Sequence, residues 1–371
     1  MLDANLIHNS TIDMIKVAFV KFGGMANGGT EKFLQTIASH LDKTKFQVDY
    51  FYTPGAPYIG SDHKHKDTDP SRVEFCESHG VNCIPVKVLF KNVTVGTHDW
   101  VGTDFWDLFD EKNYDLVVSG RSGHPEYPFH MIRKTPIIDT IHLAGMAENK
   151  PNTYKTVLMG EEQRQKWISA GGPAERSMVI PPAVVVPEVE GKLPFDQKHI
   201  FGMHQRDNDH IFSPIPLEAY SKIESDDTMF LMLGGSIKYE KQAFDLGIKN
   251  ALFCPSTSDV DAIHKFLNTL TVYAHGRSDG EQCSSAIIEA LSHSLPVITH
   301  TAPSMGQAEQ VGLAGACVET VEQYAAMMKM MMEDQEKYDE FSKEAKRRYD
   351  EYYSMNAIID KYAKLFEEAV C

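Results

Sequence analysis

The sequence predicts two doubly wound α/β domains, each a parallel sheet covered by helices on both faces. Three observations predict this. Short apolar, β-branched runs alternate with helical patterns along the whole chain, the order that parallel strands joined by crossover helices produce. The alternation breaks once, at residues 181–194, where Pro181, Pro182, Pro187 and Pro194 occur without a helical period, as suits an extended linker. A chain of 371 residues, 42% hydrophobic and 24% charged, carries enough apolar material for two cores of ordinary domain size. The expected division is therefore 1–190, 191–352 and a closing helix in 353–371 that crosses back to the first domain.

Before the linker, strands are expected at Ile15–Lys21, Phe46–Tyr52, Pro85–Phe90, Leu116–Ser119, Ile137–Thr140, Thr156–Met159 and Met178–Ile180. The first runs into a glycine-rich turn holding Gly23, Gly24, Gly28 and Gly29, after which Phe33, Leu34, Ile37, Ala38 and Leu41 take helical spacing. Gly28 and Gly29 would let the backbone approach a ligand, and amides at a helix start suit an anion such as a diphosphate. The spacing is not Gly-x-Gly-x-x-Gly, and Phe51-Tyr52-Thr53 puts no acid at the end of the second strand, so a dinucleotide site is disfavoured. Residues 53–70 lack periodicity and read as a long loop, either functional or solvated. Arg121 and His124 follow the fourth strand, where open sheets present ligand sites, and are candidates for acceptor contact.

After the linker, strands are expected at His199–Met203, Met229–Leu233, Ala251–Phe253, Thr271–Ala274, Pro296–Thr299 and Gly315–Val318. Two long helical stretches follow, Val321–Tyr352 and Met355–Ala369.

Charge and cysteine usage narrow the function classes. The net charge is −16 and neither half has a basic excess, so a nucleic-acid partner is disfavoured. The six cysteines are scattered with no Cys-x-x-Cys pair, which indicates neither a zinc ribbon nor a redox dithiol and suits a reducing, cytoplasmic location. No run of about 18 apolar residues occurs, so no membrane span is expected. Asp207-Asn208-Asp209 reads as a solvated turn, and no metal or other cofactor is expected.

The chemistry concentrates in His275-Gly276-Arg277-Ser278-Asp279-Gly280-Glu281-Gln282-Cys283-Ser284-Ser285-Ala286-Ile287-Ile288-Glu289-Ala290-Leu291. A strand ends at His275, polar residues follow, and a helix begins near Ser284. Glu281 precedes that helix and Glu289 lies in its second turn, so both carboxylates can face one pocket, with small residues between them that leave backbone amides open.

Glu281, Glu289, Ala290, Leu291, Pro296 and Val297 resemble the pattern E-G-F-G-L-x-x-x-E-A-M-x-x-G-x-P-V of retaining GT-B glycosyltransferases of the GT4 family. Gly28-Gly29-Thr30-Glu31 is similar to that family's N-terminal Gly-Gly-x-Glu turn, and Met178-Val179-Ile180-Pro181-Pro182 to its Val-Ile-Pro-Asn passage into the linker. The resemblance implies a GT-B fold, two Rossmann-like domains facing a central cleft, and transfer of a sugar from a nucleotide-sugar donor to a glycan, lipid-linked or protein-linked hydroxyl. It implies retention of configuration by front-face attack without a protein nucleophile. Carried over by position, Glu289 would hold the donor ribose. Glu281 and the residues Gln282, Cys283, Ser284 and Ser285 would lie beside the transferred sugar. Arg206, after the first strand of the second domain, would meet the diphosphate, and His142 would stand near the sugar. The nucleotide is expected at strand ends around Gly235 and Pro255.

Two departures stand out. Ile211 and Phe212 occupy the places where the family commonly carries a lysine, with His210 the nearest substitute, and Gln282, Cys283 and Ser284 replace Gly, Phe and Gly. A nucleotide-sugar binder without catalysis, and a sugar epimerase of related fold, therefore stay open as alternatives.

Overall fold

Ile15–Lys21 (β1) is apolar almost throughout because a central parallel strand is covered on both faces, and its last five residues are buried. The computed structural model describes residues 14–26, 28–54, 67–89, 102–120, 131–142 and 153–371. Their contacts form two compact units: 1–157 with 170–178 and 359–371, and 158–169 with 179–358.

From β1, the first unit continues through Gly29–His40 (α1), Phe46–Tyr52 (β2), Pro70–Ser78 (α2), Asn82–Pro85 (β3), Phe105–Leu108 (α3), Leu116–Gly120 (β4), Ile137–Ile141 (β5) and Thr153–Leu158 (β6). The chain then forms Glu161–Ser169 (α4) and returns as Ser177–Val179 (β7). The sheet order is β3-β2-β1-β4-β5-β6-β7, with parallel pairing from β3 through β5. Phe19 stacks on Tyr50 at 5.8 Å, and Phe366 from the last helix meets Phe19 and Phe46 edge-on at 6.2 and 6.1 Å.

The third strand lies earlier than its hydrophobicity predicts. Gly80, at φ +74°, turns the chain after α2, and Val81 donates to the Cys76 carbonyl, so the backbone reaches the sheet edge at Asn82. Val88, from the expected apolar run, instead makes an isolated antiparallel bridge to Thr103. Residues 55–66 of the long loop, and Arg121 and His124, lie outside the described residues.

The second unit holds His199–Gln205 (β8), Ile215–Ser221 (α5), Thr228–Gly234 (β9), Lys238–Asp245 (α6), Ala251–Cys254 (β10), Val260–Thr269 (α7) and Val272–Ala274 (β11). It continues with Gly280–Glu281 (β12), Ser285–Ser292 (α8), Val297–His300 (β13), Ser304–Met305 (β14), Gly306–Val311 (α9), Gly315–Val318 (β15), Val321–Glu333 (α10) and Gln335–Arg348 (α11). A π turn, Tyr349–Tyr353, leads into Met355–Val370 (α12). The expected single stretch Val321–Tyr352 is thus divided. Asp334 ends α10 and caps α11, its carboxylate accepting the Lys337 amide at 2.9 Å.

Six strands form a fully parallel sheet in the order β10-β9-β8-β11-β13-β15, while β12 and β14 make a separate two-stranded pair. This is the doubly wound order in which the strand sequence reverses direction between β8 and β11. Open α/β sheets bind ligands outside the carboxyl ends of the strands at that reversal.

Candidate active site

The residues that follow β8 and β11 meet at the reversal point. His204, Gln205, Arg206, His275, Arg277, Glu281, Cys283, Ser284, Ser285 and Glu289 line a cavity of about 460 Å³. The topology explains why residues 70 positions apart converge: β8 and β11 are hydrogen-bonded neighbours, and α8 starts just beyond them.

Ser284 is the cap of α8, its hydroxyl accepting the Ile287 amide. The Ser284 amide is taken by the Gln310 side chain at 2.6 Å. The next two amides, of Ser285 and Ala286, have no partner among the described residues, which leaves donors at a helix start open to the cavity.

Glu281 is fixed by Arg277 and stands beside His275. Arg277 donates Nη1 to its Oε1 at 2.5 Å, and His275 Nε2 lies 3.7 Å from its Oε2. Burial works to raise this carboxyl, but the neighbouring His275, Arg277 and Ser284 hydroxyl outweigh it and hold the carboxyl at about 2, with Oε2 itself buried and without a hydrogen-bond partner among the described residues. Glu281 is therefore an anion at neutral pH. Arg277 also forks onto Asp279 through Nε at 2.9 Å and Nη2 at 2.7 Å, so its charge is matched twice. Glu289 is held from the other side: its Oε2 takes His204 Nε2 at 2.7 Å, and Tyr273 Oη stands 3.2 Å from His204 Nδ1.

Arg206 differs from Arg277. It is exposed at the cavity wall and makes no ion pair or hydrogen bond with any described residue, so its guanidinium is free for an anion. Ile211 lines the cavity at one of the two places where the family pattern commonly carries a lysine, and Phe212 lies under Lys238, 5.9 Å from Nζ to the ring centre. Burial pushes the Cys283 thiol well up, which keeps it protonated. Gln282 does not line this cavity.

Gly235 and Pro255 line a neighbouring cavity of about 360 Å³ at the ends of β9 and β10, with Asp207, Ile237 and Glu240. Gly235 has φ +87°, and a Cβ there would stand 2.1 Å from the Met232 methyl.

In the first unit, a Cβ at Gly28 would meet the Glu31 carboxylate at 2.2 Å, whereas Gly29 faces open space. Glu31 lies 3.7 Å from Lys21, both buried, and accepts the Thr30 hydroxyl. The turn expected to welcome an anion thus already holds a carboxylate of its own. His142 packs edge-on against Phe33, ring centres 4.7 Å apart, with Nε2 buried and unpartnered. Burial, then the Lys21 charge, lower it to about 3, so it is neutral at physiological pH.

Sequence reasoning brought Arg206, Glu281, Cys283, Ser284, Ser285 and Glu289 to one cavity. It missed His204, Arg277, Gln307 and Gln310. Arg277 and His204 stood within the stretches already singled out. The glutamines carried no signal, because an amide that binds backbone has no preferred sequence spacing.

The solved structures with this architecture agree on one fold. HepE of Anabaena, crystallised with UDP and glucose, superposes with a TM-score of 0.68 over 95% of this chain and 100% of its own, at 16% identity. A glycosyltransferase from Rickettsia africae gives 0.71, covering 96% and 99% at 15% identity. Sucrose-phosphate synthase from Thermosynechococcus elongatus gives 0.67, covering 95% and 98% at 14% identity. The fold is GT-B. Residues 214–348 match the family model described as glycosyl transferases group 1, which makes this GT-B chain a transferase by its domain content. No curated protein matches the sequence. Among the described residues, no helix is long and apolar enough to cross a membrane.

Proposed function

We propose that this GT-B chain moves a sugar from a nucleotide-sugar donor to a hydroxyl of a glycan, lipid-linked or protein-linked acceptor, with retention of anomeric configuration, as a GT4-type enzyme of the cytoplasm. One observation carries the reading. An unpaired guanidinium, two ionisable carboxylates and open helix-start amides share a single cavity at the strand-order reversal. The UDP and glucose bound to HepE are of the ligand class such a cavity suits.

Departure of a nucleoside diphosphate develops negative charge on the bridging oxygen while the sugar gains oxocarbenium character. Arg206 and the amides of Ser285 and Ala286 meet the diphosphate. Glu281, kept ionised by Arg277 and His275, lies beside the electron-poor sugar, and Glu289 accepts ribose hydroxyls. With that charge met by a guanidinium and amides, the transfer runs without a metal cofactor.

The test is turnover of a panel of UDP-, GDP- and ADP-sugars by the full chain. Wild type is expected to transfer or hydrolyse one of them. Arg206→Ala should cut kcat about 100-fold, the scale of losing one donor at developing charge, and Glu289→Ala should raise the donor KM. Affinity for a nucleotide sugar without any turnover would replace this reading with a binding protein.

A further inference from the structure

α9 packs on one side against the backbone that shapes the cavity and on the other against the ends of two other helices. Gln307 and Gln310, both at most 3% exposed, grip the backbone that shapes the cavity. Gln307 Oε1 accepts the Glu281 amide at 2.9 Å while its Nε2 donates to the His300 carbonyl at 3.2 Å. Gln310 Oε1 accepts the Ser284 amide at 2.6 Å, and its Nε2 donates to the Ser284 carbonyl at 3.0 Å and the Cys283 sulfur at 3.2 Å. A Cβ on Gly306 would stand 2.0 Å from the Gln282 carbonyl oxygen, so α9 begins in direct backbone contact with the same loop.

The opposite side is held as firmly. Glu309 accepts the amides of Glu161 at 2.8 Å and Glu162 at 3.3 Å, capping α4 with a carboxylate where the helix dipole favours one. Glu162 returns the contact, its Oε2 accepting the Met305 amide at 2.8 Å. At the last residue of α11, where the π turn begins, Arg348 donates Nη2 to the Glu309 carbonyl at 2.7 Å and Nε to the Gln310 carbonyl at 2.9 Å. These are charge-assisted bonds to the otherwise unsatisfied carbonyls of a short helix's last turn.

We infer that Arg348 is a positioning residue for the donor site: by clamping the carboxyl end of α9 it fixes Gln310, and through Gln310 the open amides of α8 that receive the diphosphate. The inference rests on the proposed donor chemistry and adds to it a control point outside the cavity. Arg348 is absent from the cavity lining, so it affects a ligand only through the elements it holds, α9 among them. The start of α8 therefore answers to the conformation of the π turn that follows α11.

The experiment is calorimetric titration of UDP, GDP and ADP into the full chain as wild type, Arg348→Met, Arg348→Lys, Gln310→Glu and the exposed control Lys343→Met. Hydrogen exchange of residues 283–287 and of the β8–β9 strands is followed in each. Wild type and Lys343→Met should bind one nucleotide equally. Arg348→Met should weaken it about tenfold, the scale of losing charge-assisted bonds, and speed exchange at 283–287 while the strands stay protected. Lysine, reaching one of the two carbonyls, should restore part of the loss. Gln310→Glu, which keeps the acceptor for Ser284 but puts an anion against its carbonyl, should weaken binding as much with Arg348 intact, and it decides the matter if Arg348→Met does not fold. Affinity within twofold of wild type in a folded Arg348→Met or Gln310→Glu would overturn the inference alone. Failure of wild type to bind any of the three would overturn the donor reading, and this inference with it.

Discussion

Replacing Glu281 by Gln keeps the side chain's shape and removes its charge, which isolates what the ion network contributes. A carboxyl moved from 4.5 to about 2 represents roughly 3 kcal/mol of preference for the charged form in the fold. Because the folded value lies below the ordinary one, that contribution is complete above about pH 5 and is lost as pH falls through 4.5 towards 2. The amide leaves His275, 2% exposed, without its carboxylate partner, while Arg277 keeps Asp279. Glu281→Gln should therefore destabilise the second unit by about 2–3 kcal/mol at pH 7 and by about half as much at pH 3. Urea titrations at both pH values, with native-state hydrogen exchange read on α8, measure the difference. An equal loss at the two pH values, or a loss below about 0.5 kcal/mol at pH 7, would refute the assignment of Glu281 as an anion held by Arg277 and His275.

His142 should give the first unit a pH dependence of similar sign. Neutral in the fold down to about 3, it takes a proton on unfolding below its ordinary value near 6.5, so stability falls as pH drops through that window by roughly 1.4 kcal/mol per unit. His142→Leu should flatten the profile of urea midpoints between pH 4 and 6.5, and parallel profiles for the two proteins would show that another group titrates. Gly235→Ala should cost about 1–2 kcal/mol by the same urea assay. The Met232 methyl can swing away from the new Cβ, but φ +87° remains, so an unchanged midpoint would contradict the backbone reading.

The parts of the fold legible in the sequence are those where burial alone writes the pattern. β1, β2, β8, β9 and β11 are largely apolar runs because both faces of an inner parallel strand are covered, and they lie where hydrophobicity puts them. The third strand was misplaced because an edge strand is half exposed: Asn82 and Cys83 enter the ladder through a turn set by Gly80, and composition does not encode that. The break at Asp334 was hidden for a related reason. The residues on both sides are strong helix formers, and only the side chain's acceptance of the Lys337 amide divides them. In the site, carboxylates and an arginine announced themselves by chemistry and spacing. Gln307 and Gln310 did not, since their role is to satisfy backbone amides that become unsatisfied only once α8 and α9 are packed.

On the proposed donor reading, the contrast between Arg277, bound twice over, and Arg206, bound to nothing described, would set how firmly a spent nucleotide is retained. Among the described residues lining the cavity, a diphosphate freed of its sugar would find Arg206 as the unpaired cation, a few dipoles, and a wall of Ile211. On that reading, such a grip would favour discharge of the spent nucleotide. Modest increases in ionic strength would then slow recharging with fresh donor before they affect the chemistry.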